Sequence, residues 1–333
     1  ELCEIRHQIH ENPELGLQEF KTSALVAEKL RQWGYEVEQG LATTGVVATL
    51  KVGDGEKSIG LRADMDASPI YENSGKPWAS KHPGLMHACG HDGHTTILLG
   101  AARYFAETRR FNGTLRLIFQ PAEEMINGGE IMVKEGLFDR FPCDVIFGMH
   151  NMPGLPVGKF FFQPGALMAS MDQFHITVRG CGGHGAIPHK AIDPVLVAAH
   201  ITTALQSIVS RNVDPLEAAV ITVGSIVAGE AANVIPDSAE MKISVRSLSR
   251  DTRQLLLTRI PALAQAQAAS FGATAEVTHV NGTPVLVNDE EMARFAWQVA
   301  CKTFGEDRAE FGIKPLMGSE DFSFLLEAVP GAY

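Results

Sequence analysis

Three scarcities frame this sequence of 333 residues. Cysteine is the first. The five present (Cys3, Cys89, Cys143, Cys181 and Cys301) are odd in number and widely spaced, in a chain long enough to build a core unaided, so a disulfide framework is not indicated. Basic charge is the second. Lys and Arg number 28 against 39 Asp and Glu, a formal net charge of −11 with no lysine-rich run, which argues against a nonspecific grip on phosphate backbones and hence against a nucleic acid partner. Long apolar runs are the third. None approaches the ~18–20 residues of a membrane span, and the opening ELCEIRHQIH has neither the basic flank nor the apolar stretch of a signal peptide, so the expectation is a soluble, cytoplasmic protein without a membrane partner. What remains is ordinary globular composition, 45% hydrophobic and 20% charged, with length for two domains of roughly 100–200 residues each.

Apolar residues Leu2, Ile5 and Ile9 recur at helical spacing, and beyond Pro13 a second helix runs through Leu25, Leu30 and Trp33. The runs GVVATLKV from Gly45, SIGLRA from Ser58, TLRLIF from Thr114 and DVIFGM from Asp144 read as strands. Helical patterns lie between them around Ile97 to Phe105 and Ile131 to Phe138. This alternation predicts an α/β domain with a mostly parallel sheet and helices on both faces. Past Gln163-Pro164-Gly165 the order becomes strand (Gln173 to Arg179), helix (Pro194 to Ser210), strand (Ala219 to Val227), strand (Ala239 to Ser247), helix (Thr252 to Phe271) and strand (Thr274 to Val280). That is β-α-β-β-α-β, the split-βαβ order of a ferredoxin-like α+β domain. After the turn cluster Asn281-Gly282-Thr283-Pro284, a helix runs from Asp289 to Phe304 and another starts at Ser319-Glu320-Asp321. The expectation is a discontinuous α/β domain, residues 1–165 and 283–333, interrupted by an inserted domain, residues 166–282.

In open α/β sheets the loops leaving the carboxyl ends of the strands converge on one crevice. The polar clusters of this sequence stand at such places: Asp64-Met65-Asp66 after SIGLRA, Gln120-Pro121-Ala122-Glu123-Glu124 after TLRLIF, and His150-Asn151 after DVIFGM. Separately, Met86-His87-Ala88-Cys89-Gly90-His91-Asp92-Gly93-His94 precedes an apolar helix. In an extended segment Cys89 and His91 would point the same way, with glycines letting the backbone fold around an ion. A thiolate with imidazoles and carboxylates suits zinc, manganese, nickel or cobalt better than calcium or magnesium. The plainer alternative is a buried thiol beside a helix-capping histidine. Adjacent carboxylates leaving a strand face different ways, so one of Glu123 and Glu124 can ligate a metal while the other addresses the attacking water as general base. The alternative there is a solvated acidic loop, and for His150 a satisfied core histidine. Asp64 and Asp66 are either turn caps or orienters of a ligand histidine.

Taken in order, RADMDASPI, MHACGHDGHT, QPAEE, GMHN, GGHGAIPH, ANVIPDSAEM and GSEDFSFLLEAVPGAY resemble the metal-dependent amidohydrolases of the aminoacylase and hippurate hydrolase type. That zinc-peptidase-like group includes the plant indole-3-acetyl-amino acid hydrolases, and the resemblance covers almost the whole chain. It implies hydrolysis of the amide bond of small N-acyl amino acids, with Cys89, His91, Glu124 and His150 as ligands of one or two divalent transition-metal ions. By the same resemblance Glu123 is the catalytic base that later protonates the leaving amine, and Asp66 stands behind the ligands at the catalytic site. His184 would reach the substrate carbonyl, Asn233 and Arg246 would bind substrate, and the inserted domain would serve as lid and as the surface of a homodimer or dimer-based oligomer. The resemblance also implies a ligand histidine downstream of Ser319-Glu320-Asp321-Phe322. The sequence reaches Tyr333 without one, so the expectation is that these residues do not complete a second metal position. Two competing expectations remain: a dipeptidase or carboxypeptidase using the same centre, and a catalytically silent metal-binding or assembly protein.

Overall fold

The computed structural model describes residues 1–333, the side chains of Met125 and Ile126 apart. The chain forms two compact units, one of Glu1–Gly165, Val287–Lys314 and Glu320–Tyr333, the other of Ala166–Leu286 and Pro315–Ser319.

The first unit is built on a six-stranded sheet. Its spatial order is β1 (Glu36–Leu41), β2 (Gly45–Val52), β4 (Gly113–Gln120), β3 (Ser58–Asp64), β5 (Val145–Gly148) and a last short strand, Gly331–Ala332. β3 is parallel to both β4 and β5, and the last strand is parallel to β5, while β1 and β2 attach antiparallel at the other edge. The sheet is therefore largely parallel in a mixed α/β unit. Both of its faces are covered, which is why β2 and β4 read as near-continuous apolar runs. Val46, Ala48 and Leu50 join Leu115, Leu117 and Phe119 in one core with Ile5, Ile9, Val26, Leu30 and Leu99 of the helices α1 (Leu2–Glu11), α2 (Phe20–Gln32) and α3 (His91–Thr108). The intervening Val47 and Ile118 are buried on the opposite face. Arg62 pairs with Ile118, and Asp64 with Gln120, so strand alternation turns these three polar side chains onto that second face too. Behind the sheet run α4 (Glu123–Ile126), α5 (Gly128–Lys134) and α6 (Leu137–Arg140). The single helix expected around Ile131 to Phe138 is thus two, separated by Gly136 at φ 87°. β1 was not anticipated, because EVEQGL is mostly exposed and owes its strand to antiparallel pairing with β2.

In the second unit the strands lie in the order Ala219–Val227, Ser238–Ser247, Ser170–Arg179, Thr274–Thr283, every neighbour antiparallel. The helices α7 (Pro194–Arg211) and α8 (Arg250–Ser270) supply the rest of its core. Alternation is clean in the central strand, where Phe174, Ile176 and Val178 are buried and Gln173, His175 and Arg179 exposed. Asp193 caps α7 by accepting from the Val195 backbone N–H, with Pro194 in the first turn where no N–H is missed. Two helices close the chain within the first unit, α9 (Glu290–Phe304), capped by Asp289, and α10 (Phe322–Ala328). Among the described residues no helix is long and apolar enough to cross a membrane.

Candidate metal centre

The carboxyl ends of the parallel strands β3, β4 and β5 deliver Asp64 and Asp66, Glu123 and Glu124, and His150 to one edge of the sheet. The first turn of α3 arrives at the same place. Donor atoms of Cys89, His91 and His150 all lie within 4.8 Å of one another, as do those of His91, Glu123 and Glu124. His91 also belongs to a third group with Asp64 and His94, and Glu123 to a fourth with Glu320 and Asp321.

Local geometry departs from the expected extended Cys-x-His segment. Gly90 takes a left-handed φ of 100°, and His91 is already the first residue of α3, so the turn rather than strand alternation brings thiol and imidazole together. A Cβ at position 90 would stand 2.2 Å from Asn151 Oδ1, so only glycine fits both the turn and its neighbour. The two glutamates likewise sit on the one-turn helix α4, and both reach His91. Ala122, at φ 55°, makes the left-handed step into that turn, and its N–H donates to the buried Glu19 at 2.8 Å.

Hydrogen bonds fix the imidazoles. His91 Nδ1 lies 2.9 Å from the carbonyl and 3.1 Å from Oδ1 of Asp66, both acceptors, so Nδ1 carries the proton. The other nitrogen, Nε2, is buried with no hydrogen-bond partner among the described residues. An orphaned, fully buried imidazole nitrogen beside a thiol and two carboxylates is what a metal ion would satisfy. His150 is set the same way: its Nδ1 donates to the Asn151 carbonyl, leaving Nε2 3.2 Å from Cys89 Sγ. Burial alone would raise the Cys89 thiol, but the adjacent His150 and His91 imidazoles bring it below its ordinary value, favouring the thiolate. Burial opposes the charge of His91, yet Asp64 and Asp66 hold its pKa well above the usual imidazole value. This donor set of thiolate, imidazoles and carboxylates fits a divalent transition-metal ion.

Beneath the centre lies a network the sequence did not disclose. Arg62, wholly enclosed, donates to Gln120 at 2.9 Å, Asp64 at 2.6 Å, Glu320 at 2.9 Å and Asp321 at 3.0 Å. Asp321 also accepts from Gln120 and from the Gly129 N–H, and Tyr333 donates to Glu320. Burial pushes the Asp321 carboxyl up to about 7. Burial, followed by the Glu320 and Asp321 charges, raises the Glu123 carboxyl well above the ordinary range. The helix start expected at Ser319-Glu320-Asp321 is where α10 begins, at Phe322; Glu320 accepts the Phe322 N–H at 2.9 Å, and both acids turn inward to Arg62. One signal was available, a lone arginine inside the apolar run SIGLRA. His94 carried another, three residues from His91 on one helix face; it is held between Asp64 and Asn151, at 2.6 Å from each.

The other named residues belong to the second unit. His184 pairs with Val234 in a short antiparallel ladder, and the Gly185 N–H donates to the Asn233 carbonyl at 2.8 Å, so His184 and Asn233 are neighbours. The Ala186 N–H donates to His184 Nδ1 at 3.1 Å, leaving Nε2 on the exposed side. Arg246 lies on the strand Ser238–Ser247, half-buried, and burial lowers its pKa.

Sheet-edge carboxylates, imidazoles and a thiolate with one carboxylate to spare define a metallohydrolase. The chain belongs to peptidase family M20/M25/M40, whose model matches residues 60–333. It is 50% identical to the hippurate hydrolase of Campylobacter jejuni, over all of this chain and 87% of that protein. It is 39% identical to the N-acetyl-L-cysteine deacetylase of Bacillus subtilis, over all of this chain and 79% of that one. Among solved structures, the Bacillus subtilis YxeP protein, described as a dinuclear metal binding peptidase, matches with a TM-score of 0.84 and 35% identity, covering 99% of this chain and 86% of that one.

Proposed function

We propose that this protein is an amidohydrolase that splits N-acyl amino acids, hippurate-like or N-acetylated, into carboxylic acid and amino acid. The observation that carries the reading is Glu123, a raised carboxyl within 4.8 Å of His91 and Glu124 that is one acid more than the Cys89, His91, His150 and Glu124 ligand set requires. Held by those four residues, one or two divalent ions (manganese, zinc, nickel or cobalt) would supply Lewis acidity to the amide carbonyl and to the attacking water. Glu123 takes the proton from that water on its carboxylate and returns it to the leaving nitrogen, a task that a carboxyl raised by burial performs better than an exposed one. Asp66 holds His91 in the ligating tautomer. His184 Nε2 steadies the developing charge on the carbonyl oxygen, while Asn233 and Arg246 receive the free α-carboxylate.

The second unit acts in this reading as lid and dimer surface. Its edge strand Ala219–Val227 exposes Val220, Ile226 and Val227, an apolar edge that pairing with a second copy would cover. The protein is read as cytoplasmic. Hydrolysis of N-benzoylglycine, N-acetyl-amino acids and dipeptides by metal-stripped protein with each ion restored tests the function. Metal-restored release of the amino acid from acyl substrates supports it; turnover of dipeptides alone would move the assignment to a peptidase, and none at all to a binding protein.

A further inference from the structure

Two side chains hold Glu124, and only one of them, Asp66, has so far been given a part. Asp66 Oδ2 accepts the Glu124 backbone N–H at 2.9 Å. Ser68, two residues on, donates its hydroxyl to Glu124 Oε1 at 2.7 Å. Ser68 is 5% exposed, and its backbone is pinned by a two-way bridge with Met86, N–H to carbonyl at 3.0 Å in both directions. Met86 stands three residues before Cys89. One short segment thus grips Glu124 by backbone and carboxylate while being fastened to the arm that carries the thiol.

We propose that Ser68 is a positioning residue of the metal centre: its hydroxyl occupies Glu124 Oε1, so that Oε2 is the oxygen presented as ligand. The inference rests on the reading of Glu124 as a metal ligand. A carboxylate held by a fixed donor loses little rotamer freedom on binding an ion, whereas one left free must be ordered at the moment of binding. Removing the hydroxyl also leaves a part-buried carboxylate oxygen short of a partner.

Cobalt(II) is the probe, because its visible absorption reports ligand number directly. Metal-free protein is titrated with cobalt(II) in the presence of a competing chelator, for the parent chain and for Ser68→Ala, Ser68→Thr, Ser68→Val and Glu124→Gln. Thr and Val have the same shape and differ in the hydroxyl alone. Ser68→Ala and Ser68→Val are expected to bind cobalt about tenfold more weakly, with an altered spectrum, and Ser68→Thr to keep parental affinity. Should Ser68→Ala fail to fold, the Thr and Val pair decides alone. Equal weakening in Thr and Val would assign the effect to packing and overturn the proposal, as would parental binding in Ser68→Ala and Ser68→Val while Glu124→Gln is weakened. Parental binding in Glu124→Gln would instead overturn Glu124 as a ligand.

Discussion

The two units of this chain bury polar groups on different terms. In the first, Glu19, Asp64, Asp66, Asp92, Glu320 and Asp321 are all at most 2% exposed, in company with Arg62, His87, His91 and His94. In the second, Asp172 is the one buried carboxylate among the described residues, gripped by Arg253 through two bonds of 2.8 Å and by His279 at 2.9 Å. That core is otherwise apolar, from Phe174, Ile176 and Val178 of the sheet to Ile201, Leu205, Leu256 and Ile260 of the helices. Buried charges cost several kcal/mol each unless fully paired, so a unit that gathers so many has given up stability that an apolar core would have kept. The second unit carries no such load. The difference coincides with the candidate metal centre: the first unit maintains donors and acceptors in fixed positions, and the second is folded by the ordinary one-faced burial of an antiparallel sheet.

Substitutions can break this contrast, and the largest effect falls on catalysis. Glu123→Gln is expected to lower kcat by about 10³–10⁴-fold, while metal content measured on the purified protein stays near the parental value. Loss of the metal together with activity would mean that the roles of the two glutamates are exchanged. In the metal-free protein the same variant has a second consequence. A carboxyl whose folded pKa is raised weakens the fold as pH climbs from its unfolded value towards the folded one, so Glu123→Gln should unfold at a higher temperature than the parent at pH 7.

Next in size is the stability of the buried network. Arg62→Met leaves Asp64, Glu320 and Asp321 without their shared cation and is expected to cost about 3–5 kcal/mol in denaturant unfolding. A cost no larger than that of a methyl deletion in the second unit would remove the contrast altogether. His87 sharpens it through pH. Neither of its ring nitrogens has a partner among the described residues, and burial pushes its pKa down to about 4. The folded state therefore refuses a proton that the unfolded chain accepts, and stability is lost as pH falls from 6.5 towards 4, by about 3 kcal/mol in full. Denaturation of metal-free protein at pH 7 and pH 5 should show about 2 kcal/mol of this loss in the parent and a flatter profile in His87→Asn. The smallest effect belongs to the second unit: Ile176→Val should cost about 0.5–1.5 kcal/mol and leave cobalt affinity unchanged by competition titration. A shift in that affinity would mean that the two regions are energetically coupled.

Much of the fold was legible because the relevant signals are local. GVVATLKV is strand β2 residue for residue, and Ala219–Val227 likewise matches its reading, since an apolar run bounded by turn residues needs no distant partner to declare itself. Strand β1 was not legible: its pattern is polar, and the hairpin with β2 decides it. Of the centre, Cys89, His91, Glu123, Glu124 and His150 could be named because each stands at a strand end or a helix start. Their geometry could not, for the turn at Gly90 and the one-turn helix at Glu123 replace the extended backbone that the spacing suggested.

The sequence by itself determined the two-part α/β and α+β architecture, through periodicities of two and 3.6 residues, and the chemistry of the centre, through the kinds of donor set beside apolar strands. Tertiary structure alone decided which charges meet. Arg62 and Glu320 lie 258 positions apart, Ser68 and Glu124 lie 56, and His94 and Asn151 lie 57. Periodicity records which face of an element avoids water, and it is silent about which two faces will be folded together; hydrogen bonds, effective over about 3 Å, exist only once that has happened.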